Sequence, residues 1–547
     1  MLIGYLYFGA VFVVLVLLAI DMIRTNRKRI HALKKQFGNP PEDLNIDFEN
    51  IGSFHRVFQA KSNHIIDDTT WNDLEMDRIF ERLDTCCSSI GEEYLYAVLR
   101  KPEIETDKLL AREKLIQYFD ENQDARFAIQ IALLNIGKEP NNGLAQLLSS
   151  EAPAHRIRPV ALYWLLTALP ILSTFFLLVS IKLGVACILV FSLINCVVYI
   201  RNKLSLEASF ITLRYLTAML NGCNALCKKK FAGWDTFIDP LRTYLQPFKK
   251  IAGILTSTYV TKQASFELQA LTGFFQMLFL AEIRNYNRVI HSVESNRESL
   301  QKLFIELGKI ETAISVLSYR KSSPNTCTPK FTDRNQIVFQ NLVHPLIPQA
   351  VPNSGKLDRG AIITGSNATG KSTFIKALAV NGILAQSIHT CNATYFETRP
   401  SLVMTSMALR DNMHSGESYF IVEVKSIQRL LKAINQANCV CYIDEILRGT
   451  NTPERIAASS AILKHIALKK CLCVVASHDI ELSELLKDQY DQYHFSETIS
   501  GDTIQFDYQL KEGPSTTQNA IKLLAIMGIP PEIIVDAERC FNEHMVL

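Results

Sequence analysis

Apolar and polar positions fall into three regimes along this chain. Two stretches are almost free of charge. Residues 2–20 (LIGYLYFGAVFVVLVLLAI) carry none and are long enough, as a helix, to cross a hydrocarbon layer of about 30 Å. No basic residue precedes this run, and Arg24, Arg27, Lys28, Arg29, Lys34 and Lys35 follow it. A cleaved leader has the opposite flanks. The run therefore predicts a retained anchor with its downstream flank in the cytoplasm. Residues 161–200 (ALYWLLTALPILSTFFLLVSIKLGVACILVFSLINCVVYI) carry one charge, Lys182. That is too long for one span and suits two, with the turn at Lys182 and Gly184. Arg156 and Arg158 precede the pair, and Arg201 and Lys203 follow it, so both open ends are expected in the cytoplasm. Both segments predict the same topology, a chain in the inner or plasma membrane with its bulk on the cytoplasmic side. The alternative for 161–200 is a very apolar hairpin buried in a soluble domain.

The second regime has helical periodicity. Residues 24–155 are mixed and mostly helical, and 204–322 are helical. Leu300, Leu303, Phe304, Leu307, Ile310, Ile314 and Leu317 form one apolar stripe on a long helix. The stretch SSPNTCTP (322–329) breaks the pattern. The third regime follows: short β-like runs (IVFQNL, AIITG, LVMTS, CVCYID, CLCVVAS) alternate with helices, as in an α/β nucleotide-binding domain. The expected organisation is an anchor (1–23), a cytoplasmic core region (24–155), a transmembrane hairpin (156–203), a helical lever region (204–330) and an α/β domain (331–547).

Composition adds limits. Apolar residues make up 48% of the chain, and the net charge of +3 gives no global field demanding a polyanion. The thirteen cysteines form no disulfide framework. Cys439, Cys441, Cys471 and Cys473 fall inside apolar strand-like runs, where core packing is favoured over a metal site. Buried free thiols suit a reducing compartment.

The candidate chemistry lies in the α/β part. GSNATGKS (Gly365, Ser366, Asn367, Ala368, Thr369, Gly370, Lys371, Ser372) matches G-x-x-x-x-G-K-[ST], follows the strand 361–364 and opens a helix at Thr373. In that setting backbone N–H groups and the helix N-terminus cradle phosphates, Lys371 reaches the β/γ-phosphates and Ser372 ligates Mg²⁺. The expected ligands are ATP and Mg²⁺. CVCYIDE ends a strand in two acids: Asp444 is placed to hold the metal and Glu445 to orient or deprotonate the attacking water. VVASHD places His478 at the end of a third strand, to sense or stabilise the γ-phosphate. Adjacent acids followed by a histidine point to the ABC-type branch of phosphate-loop ATPases, in which two domains sandwich ATP. The transporter string LSGGQ is absent.

These motifs resemble one family. TGSNATGKST resembles the TGPNMGGKST of MutS mismatch-repair ATPases, and SGESYFIVEV (415–424) their G-x-STFMVEM signature. YIDEILRGTNTPER (442–455) is similar to LIDEIGRGTSTxDG, SHDIEL to THxxEL, and His344-Pro345 in NLVHPLI to RHPxL. The tail 508–537 resembles the family's ending, and LDTCCSSIGEEYLYAVLRKPEIETDKLLAREKLIQYF (83–119) resembles its core domain. The resemblance gives Gly416 and Ser418 a role in trans at the partner's γ-phosphate. It places Asn451 at the interface of a head-to-head homodimer, and it implies binding to mismatched or branched DNA. Ser366, Ala368 and Thr369 depart from the family's loop, and Tyr419 replaces a threonine beside the signature serine.

The family's N-terminal mismatch reader, with its Phe-x-Glu wedge, has no counterpart in the first sixty residues, so the expectation is a membrane-anchored variant lacking that domain. Lys228–Lys230 and Lys249–Lys250 flank Phe231, Trp234 and Phe237. This is either a basic, aromatic nucleic-acid surface or a solvated turn or lipid-headgroup patch, and the pattern favours the second. Two functions stay open: a DNA-coupled ATPase of the membrane, or an ATP-driven switch of a membrane complex that does not touch DNA. Transport is disfavoured, since the spans are few and lack intramembrane charges.

Overall fold

The long uncharged stretch folds as a helical hairpin. Helix α1 (Val160–Leu172) contains Pro170 near its end and tightens into the 3₁₀ segment Ser173–Leu178. The chain turns at Val179–Ser180 and enters α2 (Ile181–Cys227), one helix of 47 residues and about 70 Å. The turn thus falls ahead of Lys182 and Gly184, which belong to the first turn of α2. Gly184 is needed for a close approach: a Cβ there would lie 2.7 Å from the Leu177 backbone nitrogen. Nor does α2 end at 203. It passes without a break from an apolar half, with Leu189, Leu193, Val197 and Leu204 exposed, into a half whose Phe210, Leu213, Leu216, Met219 and Cys223 are buried.

The computed structural model describes residues 23–42, 46–59, 62, 64–149, 157, 159–258, 266–366, 369–407, 419–469, 471–500, 503–515 and 520–544. The N-terminal run 2–20 lies outside them. The chain forms two compact units. The first comprises Met1–Lys61, Leu83–Ala97 and Lys114–Tyr319. Its described residues are helical, and its last helix, α3 (Arg297–Ser322), buries every member of the stripe from Leu300 to Leu317. The segment Val160–Leu178, α1 with its 3₁₀ extension, and helix α2 are long and apolar enough to cross a membrane, and only 22% and 17% of their apolar windows are buried. A third apolar helix, Phe266–Phe279, packs on both. Its last carbonyls, which a helix end leaves unpaired, are met from the hairpin: Asn195 Nδ2 donates to Leu278 O (2.8 Å) and Thr167 Oγ1 to Phe279 O (2.9 Å). The aromatic residues of the basic stretch point inward. Trp234 is fully buried and stacks on Tyr118 at 5.8 Å, and Phe237 packs on the same ring. Trp234 is core, whereas Phe231 and Phe237 are half-buried.

The second unit comprises Ser62–Arg82, Val98–Glu113 and Arg320–Leu547. Strands β1 (Lys330–Phe331), β2 (Ile337–Leu342), β3 (Asn353–Leu357), β4 (Gly360–Thr364), β5 (Tyr395–Thr398), β6 (Leu402–Ser406), β7 (Cys439–Asp444), β8 (Leu472–Ala476), β9 (Tyr490–His494), β10 (Glu497–Ser500), β11 (Thr503–Phe506) and β12 (Lys511–Glu512) build it with helices α4 (Lys371–Ile388), α5 (Tyr419–Ile434) and α6 (Thr452–Leu468). The main sheet has the order β12-β9-β4-β8-β7-β6, with β9, β4, β8, β7 and β6 parallel. A smaller sheet runs β1-β5-β2-β3, and β10 pairs with β11. Strands β4, β7 and β8 are buried along their whole length, as expected for central parallel strands. Cys439, Cys441, Cys471 and Cys473 are buried in the core between this sheet and its helices, with the Cys471 and Cys441 sulfurs 3.7 Å apart. The mixed α/β sheets beside a helical region agree with the expected class.

Candidate active site

Parallel strands present their carboxyl ends at one edge, where ligands bind in open α/β sheets. Here three of those ends are level. Ile363 of β4 pairs with Ala476 of β8, and Ala476 pairs with Asp444 of β7. Two further bonds extend the ladder past the strands: Ser477 N donates to Ile363 O, and Glu445 N donates to Ala476 O, each at 3.0 Å. The residues that follow, among them Gly365, Ser366, Glu445 and His478, are thereby gathered from positions up to 113 apart.

The loop after β4 bends sharply. Gly365 sits at φ +141°, and a Cβ there would meet Phe495 O at 2.5 Å, so only glycine fits. Gly370 caps α4, whose first turn holds Lys371, Ser372 and Thr373. Lys371 is 4% exposed, and its Nζ donates to Gly365 O and Ser366 O, both at 2.7 Å. Burial pushes its ammonium down to about 8, against the pull of Glu445, Asp444 and Glu497. Ser366 Oγ donates to Glu497 Oε2 at 2.9 Å, and Thr369 Oγ1 to Ser366 O. Ser372 and Thr373 are exposed on a cleft of about 610 Å³ that is also lined by His344, Ile347, Val351 and Tyr508.

Asp444 is buried at the end of β7. Glu445 adopts φ +59° and Leu447 φ +57°. Left-handed backbone at non-glycine residues costs energy and gathers at functional sites. The Glu445 carboxylate is held from both sides, with Oε1 2.8 Å from His478 Nε2 and Oε2 2.6 Å from Arg448 Nε. Desolvation favours its neutral form, but the His478 bond and the Arg448, His478 and Lys371 charges outweigh it, so its pKa lies below the usual range. The next residue after His478 is fixed as well: Arg455 of α6 grips Asp479 with two bonds, at 2.6 and 3.0 Å.

Asn451 caps α6, its side chain accepting from Glu454 N at 3.1 Å. That accounts for the residue within this chain alone. Asn367, Ala368, Gly416 and Ser418 lie outside the described residues. The structure thus gathers Lys371, Ser372, Thr373, Asp444, Glu445 and His478 at one edge. It also adds residues that the motifs did not mark. Glu497 comes from the β10–β11 hairpin, and Arg448 braces the strand-end acid. Tyr508, at φ +52°, is held by Asn353, which donates to Tyr508 O (3.0 Å) and accepts from Leu510 N (2.7 Å). Only Arg448 carried a signal, its spacing of three from Glu445. His344 is 9% exposed, and burial drives its imidazole down to about 4, so it is neutral at pH 7.

The residues present suit Mg²⁺ and a triphosphate. Ser372 offers a hydroxyl on the cleft, Asp444 a buried carboxylate at the same sheet edge, and Lys371 a cation that donates to two loop carbonyls. A hydroxyl and a carboxylate are hard oxygen donors of the kind Mg²⁺ takes.

Residues 361–545 match the family MutS domain V. The chain is 27% identical over 324 residues to the DNA mismatch repair protein MutS of Pseudothermotoga lettingae, which covers 55% of this chain and 40% of that protein. It therefore spans about two-fifths of the length of the curated relative it matches. The alignment is longer than the domain V match, and both point to one group. Residues 361–545 are thus similar to domain V of MutS proteins, and the longer alignment extends that likeness beyond the domain.

Proposed function

We propose that this chain is a membrane-embedded MutS-like ATPase of the ABC-type phosphate-loop class, in which ATP binding closes a head-to-head homodimer and hydrolysis reopens it. The observation that carries the reading is the level convergence of β4, β7 and β8, which sets Lys371, Asp444 and the Glu445–His478 pair at one edge. Lys371 and the loop 365–370 hold the phosphates, while the cleft beside Tyr508 and Ile347 receives the base and sugar. Ser372 and Asp444 would hold Mg²⁺, which neutralises phosphate charge when bound. Glu445 orients the attacking water and accepts its proton. His478 fixes the carboxylate through its 2.8 Å contact and would sense the γ-phosphate. Gly416, Ser418 and Asn451 act across the dimer, as the family resemblance implies.

In this reading residues 1–23 anchor the chain, 24–155 form the core region, 156–203 the membrane hairpin, 204–330 the levers and 331–547 the ATPase. The exposed apolar faces of α1 and α2 support membrane embedding, and helix Phe266–Phe279 joins them with Phe274 and Phe275 exposed. The bulk of the chain would lie on the cytoplasmic side of the inner or plasma membrane.

Lys371 gives a pH test. A phosphate binds the ammonium, not the amine, and the ammonium of the nucleotide-free protein is lost as pH rises through about 8. ATP affinity should therefore be flat below that pH and fall above it, by up to about tenfold per unit. Titration with a fluorescent ATP analogue across this range measures it, and an affinity unchanged above the transition contradicts the assignment.

Coupling to mismatched or branched DNA is the function the family implies. Detergent-purified protein is expected to retain such duplexes with an affinity falling linearly in log salt, and its ATP turnover should change when they bind. Normal turnover with no DNA retention at low salt would favour the second reading, an ATP-driven switch of a membrane complex. The burial of Trp234 leans toward that second reading, because it takes one aromatic ring out of the basic stretch.

A further inference from the structure

The first compact unit has a cavity of its own, about 330 Å³, walled by Asp47, Glu92, Glu93, Lys138, Asn142 and Gln146 among others. Its charges do not balance internally. Lys138 Nζ is committed to Glu92 (2.5 Å) and Asp84 (3.3 Å). Asp47 is used as a helix cap, accepting from Glu49 N at 3.1 Å. Arg56, the other cation near Glu93, donates to Glu49 O. Glu93 is different. It is 3% exposed, Oε1 accepts from Asn142 Nδ2 at 2.8 Å, and Oε2 is buried with no hydrogen-bond partner among the described residues. Protonation does not repair this, because a carboxylic O–H at Oε2 would lack an acceptor. A buried polar atom left unmatched costs about 1–3 kcal/mol, so its persistence calls for a guest.

The guest's chemistry follows from the walls. Among the described residues no group of three or more His, Cys, Asp or Glu is placed to hold a metal ion. An ionised Glu93 would have no cation bonded to Oε2, and an ammonium supplies one positive charge with three donors. Ile46, Ile51 and Pro140 on the same wall suit a short aliphatic chain. We propose that this pocket binds a small aliphatic amine, its ammonium paired with the Glu93 carboxylate.

Binding then releases a proton. Burial pushes Glu93 up to about 8, against the Asn142 bond and the Arg56 charge, so the free pocket holds a proton at neutral pH. The incoming ammonium converts the acid to a carboxylate, and the proton leaves to solvent. Glu92, Glu139, Lys138, Asp47 and Arg56 are the other charged groups facing it, and the Tyr215 hydroxyl is the other titratable group close by.

The test is calorimetric titration of the full-length, detergent-solubilised chain with putrescine, in two buffers of different ionisation enthalpy. Saturable binding is expected, with close to one proton released at neutral pH and tighter binding as pH rises toward the Glu93 transition. Glu93→Gln keeps the shape and the Asn142 bond. It should weaken putrescine binding at least about tenfold and abolish the proton release, with ATP turnover unchanged. Gln146→Lys, which tethers an ammonium to the wall, should compete with putrescine while the chain keeps its thermal midpoint. No saturable binding at millimolar putrescine overturns the proposal. So does equal binding by Glu93→Gln, or a Glu93-dependent response to Mg²⁺ in place of the amine.

Discussion

Replacing Glu445 with glutamine is expected to lower ATP turnover by about 10²–10⁴-fold, the usual worth of a positioned general base, while ATP stays bound. The substitution preserves size and leaves the phosphate loop intact, so the loss should fall on kcat and not on nucleotide affinity. The geometry gives the reason. Glu445 follows the last residue of β7 in a strained left-handed conformation, and His478 and Arg448 hold its two oxygens in place. Its pKa is held low, so it is ionised at neutral pH and can align a water before accepting its proton. An amide can still accept from His478 but cannot take a proton. Single-turnover hydrolysis reads the chemical step, and cross-linking in ATP reads the dimer, which should accumulate. Turnover equal to that of the unaltered chain would remove Glu445 from the base role and move attention to His478.

This site was legible in the sequence because its signals are local. A buried parallel strand reads as a short apolar run, and the residues after it read as a motif, so β4, β7 and β8 and the side chains at their ends were recoverable from contiguous strings. Glu497 and Tyr508 were not. They reach the loop through a hairpin and a clamp by Asn353, and nothing near them in sequence marks the approach. The hairpin shows a different limit. Hydropathy changes near Lys203, but RNKLSLE contains no helix breaker, so α2 continues while its surroundings change. Gly184 looked like a turn residue and instead allows a helix to sit against Leu177. Trp234 and Phe237 lay beside lysines, yet the ring both pack on, Tyr118, is more than a hundred residues away.

Glu113 is expected to matter as much for stability as Glu445 does for turnover. It lies under α4 at the end opposite the phosphate loop, where His389 closes the helix at φ +54°. Arg320 clamps it with two bonds (2.8 and 2.7 Å) and also donates to His389 O (2.8 Å) and Thr390 Oγ1 (2.9 Å). His389 Nδ1 is 3.0 Å from the same carboxylate. The three side chains are nearly sealed from solvent, at 9%, 16% and 6% exposure for Glu113, Arg320 and His389. Removing one partner of such a cluster strands the other charge, at a cost of about 3–5 kcal/mol. Glu113→Gln should therefore lower the thermal midpoint of the detergent-solubilised protein. It should also weaken ATP binding, because α4 carries Lys371 and Ser372 at its other end, about 27 Å away. Desolvation alone would raise the Glu113 pKa, but the Arg320 and His389 bonds overcome it and bring it to about 2. A depressed carboxylate stabilises the fold above its unfolded pKa, near 4.5, and loses that contribution as pH falls from there toward 2. The unaltered chain should lose stability across that window, and Glu113→Gln should not show this component. Pairing Glu113→Leu with Arg320→Met removes both charges and should recover much of the loss. If the single variant melts with the unaltered chain, the cluster is not what fixes the far end of α4.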